Sequence, residues 1–255
     1  LLVADAVRSA GLTKFNFRLG DIALFYALLD ALSLPERWRL KLRHYFWRPP
    51  AFHALLSRLA RGELSEGEGP VAALTATLAD EDPARAEELV ANYLETNDLP
   101  LSGNRTIGEI TERLLDHAAD RRSEPLPCEV ATVIDYYLAV EASPREAIDR
   151  IAMIGKWAGM DLGPALYVMS RRFDLLEERG INIGKASFAT EFGRDLEYYS
   201  GLVFQIEVGG DRTSPIAGGG RYDGLLRSVG AKVDVPAVGS AIHTERLLAS
   251  VRGLA

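Results

Sequence analysis

Residues 201–208, GLVFQIEV, alternate Leu202, Phe204, Ile206 and Val208 with Val203, Gln205 and Glu207. Successive side chains of a strand point to opposite faces, so this pattern predicts a strand with one apolar face, and that face must be covered by another layer. Residues 185–192, KASFATEF, repeat the pattern more weakly, with Phe188 and Phe192 on one side. Most strand and turn signals fall between residues 185 and 242, whereas residues 1–180 read as mostly helical. Segregation of this kind predicts an α+β fold rather than a regular alternation. A chain of 255 residues that is 47% hydrophobic can build the covering layer from its own helices.

Local chemistry marks several element boundaries. Phe15 and Phe17 alternate with polar residues, and Asp21 then introduces IALFYALLDAL, which is too densely apolar for an exposed helix; a strand followed by a buried helix is predicted. Thr106 and Glu109 have the spacing of a capping box, and Ser143, Pro144 and Glu146 supply an N-cap, a first-turn proline and an N3 acid. Leu162, Leu166, Met169, Phe173 and Leu176 recur at helical steps before Gly180, and the stripe is read as core packing. Residues 62–70, 96–104 and 121–128 concentrate turn formers and bracket a helical region.

Composition removes several function classes. A formal charge of −7, from 36 acidic and 29 basic residues, argues against a surface that holds nucleic acid by neutralising phosphates. Cys128 is the only cysteine, which excludes an internal disulfide and any cysteine-cluster metal site and fits a reducing, cytoplasmic setting. His44, His53, His117 and His243 lack the spacing of metal ligands, so they are read as structural and no metal or cofactor is expected. No apolar run reaches membrane-spanning length and no secretory leader is recognisable. The chain begins with leucine, so a preceding segment is expected.

Gly218, Gly219 and Gly220 precede Arg221, Tyr222 and Asp223. The triplet has neither the GxGxxG spacing of a dinucleotide fold nor the ending of a P-loop. Glycine serves where φ must be positive or where something approaches the backbone, which leaves a close-packed turn and a ligand wall as alternatives. The polar and aromatic segment GRDLEYYSG at 193–201 adds Arg194, Asp195, Glu197, Tyr198 and Tyr199. A guanidinium can grip a carboxylate or phosphate, and tyrosines can hydrogen-bond while packing a ring, although a tyrosine can also be a core residue with a satisfied hydroxyl. Asp223 can cap the helix-like segment GLLRSV or contact a ligand.

Together, GRDLEYYSGLVFQIEV and AGGGRYDGLL resemble the two histidine-specific signatures of histidyl-tRNA synthetases, and PAVGSAIHTERLL at 236–248 resembles motif 3 of class II synthetases, ending in Glu245 and Arg246. The RDLEYY wording and the segment RLGDIALFYALLDAL at 18–32 are closer to a non-charging relative, the regulatory subunits of short-form ATP phosphoribosyltransferases. Where synthetases usually carry a motif 3 glycine this chain has His243, which argues against adenylation. Motifs 1 and 2 are not found, and the chain ends soon after Arg246 without room for an anticodon-binding domain. The chain is therefore expected to be the larger C-terminal part of a longer subunit.

The resemblance implies a class II synthetase-like antiparallel sheet flanked by helices, formed by residues 1–50 and 126–255, with a helical insertion at 51–125. It implies that Arg194 lies near the carboxylate of bound L-histidine or the activated phosphate, that Glu197, Tyr198, Tyr199 and Tyr222 line the histidine pocket, and that Gly218, Gly219 and Gly220 let the backbone approach it. Arg246 would be a remnant of a nucleotide site. The implied function is non-catalytic: a hetero-oligomer with the short-form catalytic subunit, required for activity and for histidine feedback in the first step of histidine synthesis. A histidyl-tRNA synthetase core fragment and a free-standing histidine-binding module are the competing expectations.

Overall fold

In the computed structural model, which describes residues 1–63, 70–101, 105–192 and 197–253, Asp21 ends one strand and starts one helix. Chain order runs α1 (Leu2–Ser9), β1 (Asn16–Asp21), α2 (Ile22–Ala31), α3 (Glu36–Tyr45) and α4 (Pro49–Ala60). Then come α5 (Pro70–Leu78), α6 (Pro83–Thr96), α7 (Ile107–Arg122), α8 (Cys128–Leu138), β2 (Glu141–Ala142), α9 (Pro144–Trp157) and α10 (Gly163–Glu177). A single 3-10 turn at Ile183–Lys185 leads to β3 (Ser187–Ala189), β4 (Leu202–Glu207), β5 (Ala217–Arg221), α11 (Leu225–Ser228), β6 (Val238–Ile242) and α12 (Thr244–Val251).

The strands form one sheet in the order β2-β3-β1-β4-β5-β6. Pairing is antiparallel except between β1 and β3, where Arg18 stands opposite Ser187 in parallel register. The parallel pair is a refinement of the antiparallel sheet expected from sequence. Most of the helical chain lies between β1 and β3, so that connection can cross over instead of turning back as a hairpin. Residues 185–192 yield only the short β3, with Phe188 fully buried and Phe192 half-buried in the turn that follows.

The single covered face expected of β4 also needs correction. Val203 and Ile206 lie on opposite faces and both are buried, because helices cover the sheet on two sides. Val203 belongs to the main core, while Ile206 packs with Val7 of α1, Leu12, Ile216 and Ala217 in a smaller one. The main core is aromatic at its centre: Phe25 of α2 stacks on Phe46 with centroids 3.7 Å apart and meets Phe52 of α4 edge-on at 5.7 Å.

Helices α5, α6 and α7 pack on one another through Leu78, Ala86 and Val90, a cluster separate from the main core. By contrast Phe52, Leu55, Leu56 and Leu59 of α4 are part of the main core. Arg37 and Lys41 of α3 hold the three-helix unit by gripping Asp116 and Asp120 of α7, with Nε of Arg37 2.5 Å from Asp120 and Nζ of Lys41 2.8 Å from Asp116. The Trp38 indole N–H adds a bond of 2.6 Å to the Glu124 carbonyl.

The local signals resolve individually. Thr106 and Glu109 make both bonds of the capping box, at 3.2 and 2.9 Å. Ser143 occupies the N-cap before Pro144, but its side chain makes no capping bond. Leu166, Met169 and Phe173 bury the apolar stripe of α10, and Gly180 beyond it takes a φ of +82°. The buried Thr190 hydroxyl donates to the Tyr137 carbonyl at 2.7 Å, satisfying the end of α8.

Asp21 is 2% exposed and performs three tasks at once. Its carboxylate accepts from the Ala23 N–H at 3.0 Å, capping α2, and pairs with Arg172 of α10, while its backbone sits opposite Leu202 in β4. Burial pushes the carboxyl pKa up, and the Arg172 guanidinium and Ala23 N–H oppose that push. Asp21→Ala removes the cap and strands Arg172, so a loss of roughly 3–5 kcal/mol in unfolding free energy is expected by urea titration.

Candidate functional site

The glycine triplet lies inside a regular strand. Gly218, Gly219 and Gly220 are in β5, opposite Gln205, Phe204 and Val203 of β4, and none has a positive φ. Close approach is therefore the reason for glycine at 219 and 220, whereas a Cβ on Gly218 would meet only the Phe204 carbonyl at 3.5 Å. A Cβ on Gly220 would stand 2.7 Å from Cε1 of Tyr199 and 2.8 Å from Cγ1 of Val203. A Cβ on Gly219 would collide with the Gly239 carbonyl and lie 2.7 Å from Cβ of Ser240 on β6.

Gly239 repeats the device one strand further out. A Cβ there would run into the Tyr222 hydroxyl, so the Tyr222 ring lies over Gly239 as the Tyr199 ring lies over Gly220. Tyr198 completes a triad of rings. Its centroid is 4.8 Å from that of Tyr199 and 5.3 Å from that of Tyr222, the second contact edge-on at 85°. Burial, followed by the Tyr198 hydroxyl that hydrogen-bonds to it, pushes the Tyr199 phenol up to about 12. That phenol is therefore a neutral donor throughout the physiological range.

The rings wall a cavity of about 540 Å³ over the β4–β5–β6 face of the sheet, within the range that accommodates a small molecule. Gly218 and Gly219 contribute its floor, Gln205 and Phe192 one side, and His243 the other. Three residues that line it, Phe192, Gln205 and Gly239, are not expected as site residues from the sequence, where Phe192 reads only as one side of a weak strand. Gln205 reads there only as the polar half of an alternation, and Gly239 as one more glycine.

The remaining expected site residues are distributed differently. Arg194 lies outside the described residues. Glu197 is exposed and does not line the cavity; it faces Nδ1 of His44 at 3.4 Å, tying the tyrosine segment to α3. His53 of α4 makes a similar contact, 3.0 Å, with Glu191. Arg246 donates to the Pro215 carbonyl at 3.0 Å, which pins the segment entering β5, and it too lies off the cavity. Asp223 does not cap α11, whose N-cap is Gly224. Its carboxylate instead accepts from Nε of Arg221 at 2.8 Å and its N–H donates to Ser200 at 2.9 Å.

Similarity to known proteins follows the same outline. Residues 164–247, which carry the tyrosines, the glycines and strands β3 to β6, match the family model described as Histidyl-tRNA synthetase. Solved structures of a histidyl-tRNA synthetase from Nostoc sp. PCC 7120 and of an ATP phosphoribosyltransferase regulatory subunit/histidyl-tRNA synthetase from Bacillus halodurans superpose with TM-scores of 0.54 and 0.50, at 12% and 19% identity. Both superpositions cover all of this chain, and 46% and 48% of the other. The fold is that of class II histidyl-tRNA synthetases.

Sequence similarity on this fold runs to its regulatory branch. ATP phosphoribosyltransferase regulatory subunits of Mesorhizobium japonicum and Chelativorans sp. are 36% and 32% identical over 90% and 94% of this chain. The chain spans 60% and 63% of the length of those two relatives.

The Tyr199 seat on this synthetase-like sheet can be tested directly. Gly220→Ala is expected to cost about 1–3 kcal/mol by overpacking and to lift the Tyr199 ring toward solvent. In an alkaline spectroscopic titration the phenol that ionises at about 12 should shift toward the ordinary range in Gly220→Ala and be missing in Tyr199→Phe. Because the folded-state pKa is raised, this phenol's contribution to stability is present below pH 10 and is lost as the pH rises to about 12.

Proposed function

We propose that this chain is the histidine-sensing part of a non-catalytic regulatory subunit of a short-form ATP phosphoribosyltransferase. The partner catalytic subunit joins ATP to phosphoribosyl pyrophosphate, and this subunit is needed for activity and for feedback inhibition by L-histidine. The observation that carries the reading is the pairing of a three-tyrosine pocket on a synthetase-like sheet with sequence similarity to proteins named as regulatory subunits. His243 at the cavity wall supports it further, because an imidazole there occupies space that adenylate formation needs.

In this reading the pocket holds histidine by its ring between Tyr198, Tyr199 and Tyr222. Tyr199 acts as a donor, and Arg194 pairs with the carboxylate of the amino acid. Inhibition requires that histidine bind one quaternary state of the complex more tightly than the other, since equal affinity shifts nothing. The assembly is a hetero-oligomer in the cytoplasm that uses no nucleic acid and no membrane. Among the described residues no helix is long and apolar enough to cross a bilayer. Within the insertion expected at 51–125, α5–α7 share a cluster of their own, while α4 packs in the main core.

The matching synthetase family model favours one competing reading, a histidyl-tRNA synthetase core. With the full-length gene product, histidine-dependent exchange of pyrophosphate into ATP would establish that alternative; its absence, together with activation of a short-form catalytic subunit, is the result expected here. In that complex, Arg194→Ala and Tyr199→Phe should each raise the histidine concentration for half-inhibition by about tenfold, the effect of one lost hydrogen bond to a charged or oriented group. Unchanged inhibition in both variants would place the effector elsewhere.

A further inference from the structure

Gln205 stands in the middle of β4, with Gly218 opposite it on β5 and Arg18 opposite it on β1. Gly218 has no side chain to cover the amide, which lines the cavity. Nε2 of Gln205 lies 3.1 Å from Oε1 of Glu207 and 3.3 Å from the Arg212 carbonyl. Both neighbours are acceptors, and an amide nitrogen has two protons to give. The two bonds therefore fix which end of the amide is nitrogen, use both protons, and leave the oxygen without a partner among the described residues.

The two acceptors are themselves held. Glu207 is 5% exposed, inside the sheet layer. Arg212 belongs to a tight connection in which Gly209 and Gly210 take φ of +64° and +79° and Asp211 accepts from the Thr213 N–H at 2.8 Å. The Arg212 guanidinium reaches across to Glu141 on β2, so the carbonyl that receives Gln205 is anchored at its far end. Beside them the Arg18 guanidinium lies over the Phe192 ring at 5.1 Å, and Phe192 is on the cavity wall.

We propose that Gln205 is a specificity-determining residue of this pocket: its amide oxygen, oriented by Glu207 and the Arg212 carbonyl, accepts a hydrogen bond from an N–H of the ligand. An oxygen that can only accept rewards a nitrogen donor and rejects an oxygen or methyl group of similar size, because a mismatched partner leaves a buried acceptor unpaired. The proposal rests on the histidine reading. The donor is then either an imidazole N–H or the α-ammonium group, and the ligand analogue that loses its discrimination tells which.

Calorimetric titration of the full-length subunit with histidine, its two ring N-methyl derivatives and its des-amino analogue provides the test. Gln205→Met keeps the volume and removes the acceptor. It should weaken histidine binding about tenfold, and the analogue lacking the contacted N–H, already weak on the unaltered protein, should lose nothing more. Glu207→Gln offers N–H donors that let the Gln205 amide turn over; it should weaken histidine by a smaller factor and relax the same discrimination. This second variant decides the matter if Gln205→Met does not fold. Histidine affinity unchanged in a folded Gln205→Met, or in Glu207→Gln if the first variant does not fold, would overturn the proposal and leave the histidine reading intact. An equal loss for all four ligands would do the same. Failure of the unaltered protein to bind histidine would sink both.

Discussion

The contact between Asp21 and Arg172 is the constraint on which the rest of the arrangement depends. A buried carboxylate is costly unless it is paired and hydrogen-bonded, and Asp21 meets that requirement only where three elements converge. Strand β1 delivers it, α2 offers its first free N–H groups, and α10 brings the guanidinium. If any of these shifts by a residue, the charge is left unpaired. The register of β1 against β4, which places Gly20 opposite Val203 and Arg18 opposite Gln205, is thereby coupled to the seating of two helices. The floor of the cavity inherits its precision from that coupling.

On this floor the site is built by subtraction. Side chains are absent at Gly218, Gly220 and Gly239, and the space is taken by tyrosine rings and the cavity. A ring lying on bare backbone packs where a side chain would otherwise stand and still carries a polar hydroxyl at its edge. The opposing feature is the segment carrying Tyr198 and Tyr199, which is tied down at its edges by His44 with Glu197 and His53 with Glu191. The sheet face and the edge-held aromatic cover together bound the cavity.

Features decided within a few residues of chain were legible in the sequence. The Thr106 and Glu109 capping box, the Asp21 cap of α2 and the glycine after α10 formed as read because the partners are neighbours along the chain. Even short-range readings failed where another group competed. Of the two roles read for Asp223, capping the next helix or meeting a ligand, the cap did not form, because Arg221, two residues away, holds its carboxylate and Gly224 is the N-cap. Features that depend on a partner far along the chain were not legible. Nothing local indicates that Arg172 answers Asp21, that Glu207 is enclosed despite its charge, or that Gln205 faces a cavity.

The sequence alone determined the class of fold, the strand that needed a cover, the aromatic and glycine content of the site and its resemblance to histidine-binding synthetases. It also narrowed the glycine triplet to two causes, positive φ or close approach. Tertiary structure decided between them for Gly219 and Gly220, because φ is ordinary there and the crowding comes from Tyr199 and from strand β6, more than ten residues away on either side. It also made one strand pair parallel, buried both faces of β4 and brought Gln205 to the cavity wall. Each of these outcomes is set by groups that meet only after the chain has folded, and local propensity carries no record of them.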